Sequence, residues 1–452
     1  MPKINVNFDN EIGKIKAMHA VGQPPFTGGF NQLNFTPMQI LKDANIPFSR
    51  LHDVGGAFGS NRYVDIPNIF RDFDADENLP ESYDFAFTDE LIKGLMEYGV
   101  KPYFRLGVTI ENQCQIKAYR IHPPKDFAKW ARICEHIVRH YNEGWADGFH
   151  FNILYWEIWN EPENRDDPKK NQMWTGTAEQ YYELYDVTSK HLKKCFGETI
   201  KVGGYGACGF YGVFGNPEKY SLSVSKRDGE RYNSSKEDYR INFFYGFLEY
   251  IRKHNSPIDF FSWHTYGEVD VVSVEADFVD NVLNEYGYGK IETHLNEWNL
   301  SHNRQLNNGT SYASANVMAM MLEMQHKKTD MLMYYDARYV SISAYGGFYD
   351  VLTYKPSCVY YAFKVFGELY GLGVEVECKN IANGLYSLAA KNKEKCGVII
   401  VNLTETNKQV TTNLDEEFSI YFIDEKKFIE RTKNKPNRFT LKKYQIAYIK
   451  NF

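Results

Sequence analysis

Between Ile15 and Gly373, short apolar runs alternate eight times with longer amphipathic ones. The runs that read as strands cover 15–20, 48–53, 101–107, 152–159, 199–204, 258–264, 290–296 and 330–335. Near-continuous apolar runs of this kind fit strands covered on both faces. Helical patterns alternate with them at Thr36–Ala44, Thr88–Tyr98, Asp126–Tyr141, Thr177–Cys195, Asp238–His254, Val274–Tyr286, Tyr312–His326 and Val359–Tyr370. Thr88-Asp89-Glu90 offers a hydroxyl and acids to a first turn, and Gly99 and Gly287 stand where two helices should stop. Strand and helix in repeated alternation demand a parallel sheet with crossover helices. Eight such units predict an α/β fold of the (β/α)8 TIM-barrel type. The competing open, doubly wound sheet lacks support, because no GxGxxG opens a helix after the first run.

After Gly373 the pattern changes. Gly384–Ala390, Cys396–Leu403, Gln409–Leu414, Phe418–Ile423 and Phe439–Ile449 are short alternating runs separated by turns. They predict an antiparallel β-sandwich, which the early strand Lys3–Asp9 is expected to join. The expected division is 15–373 for a catalytic barrel and 1–14 with 374–452 for the sandwich. No flexible linker separates the two.

In such barrels the reactive groups sit at the C-terminal ends of strands. The second run ends Ser49-Arg50-Leu51-His52-Asp53, and the fourth ends Trp159-Asn160-Glu161-Pro162. The sixth ends Trp263-His264-Thr265-Tyr266, the seventh Asn296-Glu297-Trp298-Asn299 and the eighth Tyr334-Tyr335-Asp336-Ala337-Arg338. Any one of these polar groups is explained by a structural hydrogen bond; their convergence on one rim is not. Two strand-terminal carboxylates, Glu161 and Glu297, each beside an Asn and a Trp, suit glycosidic cleavage. That reaction takes one carboxylic acid to protonate the leaving oxygen and one carboxylate to meet an oxocarbenium-like centre.

Composition narrows the classes further. Aromatic residues make up 16%, with 34 Tyr and 31 Phe, mostly for the core and a minority for a sugar cleft. A net charge of −6 over 452 residues leaves no nucleic-acid footprint. The seven cysteines are scattered without a CxxC pair, so neither a zinc site nor a disulfide framework is indicated. Met1–Phe8 holds no apolar core of a signal peptide, and no apolar run reaches membrane-spanning length. These features predict a cytoplasmic location and no membrane partner. The chemistry requires no metal and no cofactor, and a homo-oligomer is left open.

Other features are weaker. Asp72-Phe73-Asp74-Ala75-Asp76 starts like a calcium loop, but Glu77 and Tyr83 stand where Gly and Glu belong. Trp174 reads equally as a sugar platform or a helix staple. Glu111 reads as a surface acid, and the His136/His140 pair as packing. Asp336 and Arg338 either shape the pocket or pair with each other.

The strand ends resemble clan A retaining glycoside hydrolases, and within them family 39, the β-xylosidase and α-L-iduronidase family. The residues that carry this are Arg50-Leu51-His52-Asp53, Pro102–Gly107, Glu157-Ile158-Trp159-Asn160-Glu161-Pro162, Ser262–Tyr266 and Lys355–Phe363. The resemblance implies Glu161 as general acid/base and Glu297 as nucleophile. It implies Asn160 as a contact to the sugar 2-OH, Tyr266 as orienter of the nucleophile, and His52 and His264 as substrate-hydroxyl contacts. Arg50 is implied as support for the nucleophile, with Trp298 beside it as a binding or supporting residue. The chain departs from the family pattern twice. Tyr334 and Tyr335 stand where the eighth strand often offers Trp, and Arg105 stands where xylosidase-like members often carry an acid before Leu-Gly.

The expected activity is a retaining, exo-acting hydrolysis of a terminal sugar, first a β-D-xyloside, by double displacement. An L-arabinoside, a galactoside, a uronide, or a non-catalytic carbohydrate-binding barrel are the alternatives. Repulsion from anionic Glu297 should keep Glu161 protonated at rest.

Overall fold

The computed structural model describes residues 2–25, 38–52, 64–109, 121–215, 236–300, 308–338, 345–350, 353, 355–380 and 382–452. Glu111, Asp53 and Cys114 lie outside them. After strand β1 (Lys3–Lys14), eight parallel strands close a barrel in sequence order. They are β2 (Ala17–Gly22), β3 (Phe48–Leu51), β4 (Lys101–Leu106), β5 (Tyr155–Ile158), β6 (Lys201–Ala207), β7 (Phe260–Tyr266), β8 (Glu292–Asn299) and β9 (Met331–Tyr334). Each falls on one of the eight apolar runs. The fourth run begins at Tyr155 rather than 152 because Asn152, at φ +55°, interrupts the extended backbone.

Helices cover the barrel at Ala86–Glu97, Phe127–Asn142, Ala178–Phe196, Lys236–His254, Val269–Glu285, Ser311–Gln325 and Cys358–Leu372. Thr177 and Gln180 cap the helix Ala178–Phe196 reciprocally, each side chain meeting the other's backbone. Thr88 does not cap its helix, which starts two residues earlier at Ala86. Thr88 is instead buried in the first turn, and Asp89 accepts from Tyr141 and meets His140. Gly99 and Gly287 do end their helices, at φ +78° and +88°.

The barrel interior is layered. Ala17, Ala20, Tyr103, Tyr155, Phe260, Met331 and Met333 form an apolar plug. Two residues further along the same strands the inward positions become polar: Arg105 on β4, Glu157 on β5, Ser262 and then His264 on β7. Side chains two apart on a strand share a face, so β4, β5 and β7 each carry both layers.

The remaining strands are β10 (Val374–Asn380), β11 (Leu385–Lys391), β12 (Cys396–Asn402), β13 (Lys408–Thr412), β14 (Ser419–Asp424), β15 (Lys427–Arg431), β16 (Arg438–Leu441) and β17 (Ile446–Lys450). With β1 they form one nine-stranded sheet, in the order β15-β14-β17-β12-β11-β10-β1-β13-β16. β1 pairs antiparallel with β10, Ile4 opposite Asn380, and parallel with β13, Lys3 opposite Thr411. The sheet curls until β14 and β16, near its opposite ends, share one core, with Phe422 and Phe439 6.2 Å apart. The expected sandwich is thus a single continuous sheet folded over. Gln325 ties it to the barrel, donating to Lys14 O and to Glu375 Oε2, and accepting from Lys16 N. No helix among the described residues is long and apolar enough to cross a membrane.

Candidate active site

Glu161 reaches the barrel mouth through a backbone that most residues avoid. Trp159 stands at φ +75° and Glu161 at φ +44°. Such strain persists only where surroundings over-determine it. Here Trp159 N donates to Leu106 O on β4, Glu161 N donates to Gly206 O, and the Trp159 indole donates to Met173 O. The turn is therefore pinned to both neighbouring strands, and Pro162 follows it.

Arg50 organises the floor. Its Nε donates to Glu157 Oε2 at 2.7 Å, Nη1 to Glu297 Oε2 at 3.2 Å and Nη2 to Asn160 Oδ1 at 2.6 Å. Glu157 also accepts from Ser262 Oγ and Asn296 Nδ2, both at 2.6 Å. Burial would raise the Glu157 carboxyl, but Arg50 and these donors hold it below its ordinary range. Fully enclosed and fully bonded, Glu157 is a counter-ion rather than a reactive group. A charge inside the apolar run Ile153–Ile158 was the sequence signal for it. Because Arg50 takes the carbonyl end of the Asn160 amide, the NH2 end is turned away from Arg50.

Glu297 accepts from Tyr266 OH at 2.5 Å through Oε1. Glu161 contacts His264 Nδ1 at 2.8 Å through Oε1 and accepts from Asn164 Nδ2 at 2.8 Å through Oε2. His264 Nδ1 is also 3.7 Å from Glu297 Oε2. One oxygen of each glutamate and a ring nitrogen of His264 all lie within 4.8 Å of one another. Inverting glycosidases separate their carboxyls by about 6.5–9.5 Å to admit a water, and retaining ones by about 5–5.5 Å. Gly206 makes this convergence fit: a Cβ there would stand 3.1 Å from both Arg50 Nη2 and His264 Nε2.

Charge is distributed differently from the sequence expectation. Burial pushes the Glu161 carboxyl up, but the His264 N–H and the Asn164 amide outweigh it and hold it down at about 2. Burial, with Glu161 beside it, pushes Glu297 up. Burial lowers His264, yet Glu297 and Glu161 more than restore it, so its proton is held above the ordinary imidazole range. Both directions favour the imidazole over Glu161 as holder of the proton between them. His52 is kept neutral by burial and by the positive charges of Arg50, Arg105 and His264.

The other candidates sort by place. Tyr266, Tyr335 and Tyr345 form an aromatic wall beside Glu297, with Tyr335 and Tyr345 5.0 Å apart edge-on and Tyr266 and Tyr345 at 5.3 Å. Tyr345 and Asn164 had no sequence signal beyond their type. Trp298 is fully buried and packs edge-on against Tyr334 at 5.3 Å, and Tyr334 in turn packs on Phe348 and Phe363. Trp174 is a staple: its indole donates to Thr177 O and its ring meets Trp159 edge-on at 5.1 Å. His140 stacks on Phe85 and meets Asp89. Asp336 pairs with Arg338 at 2.8 Å. Asp72 and Asp76 accept from backbone N–H groups of their own loop. Among the described residues one further cluster has the spacing to hold a metal ion: Glu135, His191 and Cys195, on two outer helices.

The chain is similar to known proteins in sequence and in fold. A β-xylosidase from Caldicellulosiruptor saccharolyticus is 28% identical over 211 residues, 45% of this chain and 40% of that relative. A β-xylosidase from Geobacillus stearothermophilus is 25% identical over 33% of this chain and 30% of its own length. The matches thus span less than half of either relative. The fold is shared over the whole chain with a glucosidase from Croceicoccus marinus, at TM-score 0.75 and 19% identity, covering 100% of this chain and 98% of that one. A monomeric β-xylosidase from Caulobacter crescentus superposes at TM-score 0.68 and 13% identity, covering 100% and 99%. The model of the glycosyl hydrolases family 39 matches residues 61–423, most of the chain, and the chain belongs to that family.

Proposed function

We propose that this chain is a retaining, exo-acting glycosidase that releases a terminal sugar by double displacement, with a β-D-xyloside as first substrate. The observation that carries the reading is the approach of Glu161 and Glu297 from β5 and β8 to within 4.8 Å, bridged by His264. Similarity to two β-xylosidases supports the choice of sugar.

In the first step Glu297 attacks the anomeric carbon, and the bond to the leaving oxygen breaks as Glu161 protonates it. In the second step Glu161 takes a proton from water, which displaces Glu297 and leaves the sugar with its original anomeric configuration. Tyr266 and Arg50 hold the Glu297 carboxylate and disperse its charge. Asn160 offers its NH2 to the sugar hydroxyl beside the reacting carbon. Glu161 must be protonated for the first step, and His264 holds that proton 2.8 Å away. Sugar binding expels water, which disfavours the ion pair against neutral imidazole and neutral acid and so moves the proton to Glu161.

The test is a panel of aryl glycosides with the anomeric configuration of the product read by NMR, together with an activated 2-fluoro glycoside and peptide mapping. Retention and a label on Glu297 are expected. An inverted product, or binding without turnover on every sugar, would overturn the reading.

A further inference from the structure

Two of the helices that cover the barrel, Phe127–Asn142 and Ala178–Phe196, flank β5 in the sequence and pack on each other. Where they meet, Glu135 of the first faces His191 and Cys195 of the second. His191 and Cys195 are four residues apart, so one helical turn places both on the same face. Glu135 Oε2 lies 2.6 Å from His191 Nε2, and Cys195 Sγ lies 3.8 Å from the same nitrogen. One atom from each of the three lies within 4.8 Å of the others. Zinc binds nitrogen at about 2.0–2.1 Å, carboxylate oxygen at about 2.0–2.2 Å and sulfur at about 2.3 Å, which sets tetrahedral edges of roughly 3.3–3.6 Å. The 2.6 Å contact therefore has to open by about 0.7 Å and the 3.8 Å one to close by about 0.2 Å, both within reach of side-chain torsions.

The surroundings orient the three groups. Arg139 holds Glu135 by its other oxygen, with Nε at 2.8 Å and Nη2 at 2.7 Å from Oε1. Arg139 is itself fixed by Glu143 and by the ring of Phe196, 5.1 Å from its guanidinium carbon. An outer donor of this kind orients a ligating carboxylate, and here it leaves Oε2 turned toward His191 and Cys195. Glu143 balances the charge of Arg139, so a divalent ion would meet the charges of Glu135 and of a Cys195 thiolate. Cys195 is a free cysteine, and the side chains of Glu135 and His191 are 14% and 27% exposed, so the cluster is open to an ion and to a water from solvent. Mixed oxygen, nitrogen and sulfur donors suit zinc, whereas calcium and magnesium take oxygen. Barrel helices run back antiparallel to the strands. The end of Ala178–Phe196 that leads into β6 at Lys201 is therefore at the face opposite Glu161 and Glu297. We propose that Glu135, His191 and Cys195 form a stabilising zinc site, with water as fourth ligand, that clamps these two helices away from the catalytic mouth. The ion takes thiolate and neutral imidazole, so the protons those groups carry leave to solvent on binding. The clamp takes no part in hydrolysis and stands independently of the glycosidase reading.

The test starts with wild-type protein stripped by a chelator and titrated with Co2+, then with Zn2+. A thiolate-to-cobalt charge-transfer band in the near ultraviolet is expected, complete at one ion per chain and bleached by Zn2+. Cys195→Ser should abolish the band. Zn2+ at a hundredfold excess over its Kd should raise the melting temperature of the wild type by about 3 °C. That rise should be lost in Cys195→Ser and in His191→Ala. No band in the wild type, or a band that survives Cys195→Ser, would overturn the site, and this comparison decides even if His191→Ala fails to fold. A melting shift undiminished in either folded variant would also overturn it. The ion would then sit elsewhere, with Glu161, His264 and Glu297 as the other triplet of suitable spacing among the described residues.

Discussion

The two layers inside the barrel are made by the same strands and do opposite work. In the lower layer Tyr103, Tyr155 and Phe260 stack with Met331 and Met333, and Tyr103 and Tyr155 lie 5.2 Å apart. One strand repeat higher, Arg105, Glu157 and Ser262 occupy the matching inward positions. The lower layer buries apolar surface and stabilises the fold. The upper layer buries at least four charges, which a stable core avoids unless every partner is present. Fold and reactivity are thus separated by about 7 Å along each strand, and substitutions two residues apart should behave as different classes.

The sharpest test of this contrast is Glu297→Gln. Turnover should fall on the order of 10^5-fold, as for loss of a nucleophile. The melting temperature should hold or rise, because a buried carboxylate that burial and Glu161 disfavour has been removed. A large drop in melting temperature would show that the upper layer stabilises the fold after all. Arg50→Met should abolish turnover and also destabilise by about 3–5 kcal/mol, since Glu157 loses its counter-ion. Arg50→Met with Glu157→Leu should recover most of that stability without recovering turnover, as urea titration of the two variants would reveal. Tyr155→Ala, in the lower layer, should destabilise by about 3–5 kcal/mol. Its turnover per folded molecule should be little changed, and active-site titration against a fluoro glycoside would measure this.

A smaller effect lies just outside the barrel wall. Glu275 is fully buried on Val269–Glu285, close to Thr265 and Arg240. Burial pushes its carboxyl up to about 8, offset in part by Thr265 and Arg240. The folded chain therefore binds this proton more tightly than the unfolded chain from pH 4.5 to about 8, so stability declines as pH rises through that window. Glu275→Gln should remove the decline and raise the melting temperature by about 2–4 °C at pH 8, with little change at pH 4. An equal shift at both pH values would mean that packing, not titration, is responsible.

How far the sequence carried differs between regions for physical reasons. The barrel was legible because strands buried on both faces leave unbroken apolar runs, and because polar residues at their ends break those runs conspicuously. Arg50, Asn160, Glu161, His264, Tyr266 and Glu297 were found in that way. β15, at the edge of the curled sheet and largely exposed, lacks alternation and was not seen. β10 leaves no such pattern either, and Phe439–Ile449 reads as one strand in the sequence although the chain turns between β16 and β17. The roles of Glu157 and Asn164 depend on contacts between elements, which periodicity does not encode. The same is true of the proton. Repulsion between Glu161 and Glu297 could be inferred from two strand ends, but the bond that outweighs it, His264 to Glu161, exists only in three dimensions.

The place of β1 has a consequence for how the chain is made. Its partners are β10 and β13, so Ile4 must wait for Asn380 and Lys3 for Thr411. At about 5–20 residues per second, a ribosome needs roughly 20–70 s to deliver β10 after β1 has emerged. Through that interval β1 has unfilled edges on both sides while the barrel strands appear and close beside it. Its own sequence bridges the wait: Lys3, Asn5, Asn7, Asp9, Asn10 and Glu11 interrupt the apolar positions Ile4, Val6 and Phe8. Charged and amide side chains of this kind discourage a nascent edge from pairing with a neighbouring chain. Although β1 precedes the barrel strands, it is seated only after them, and the curled sheet closes only once β10 and β13 have followed.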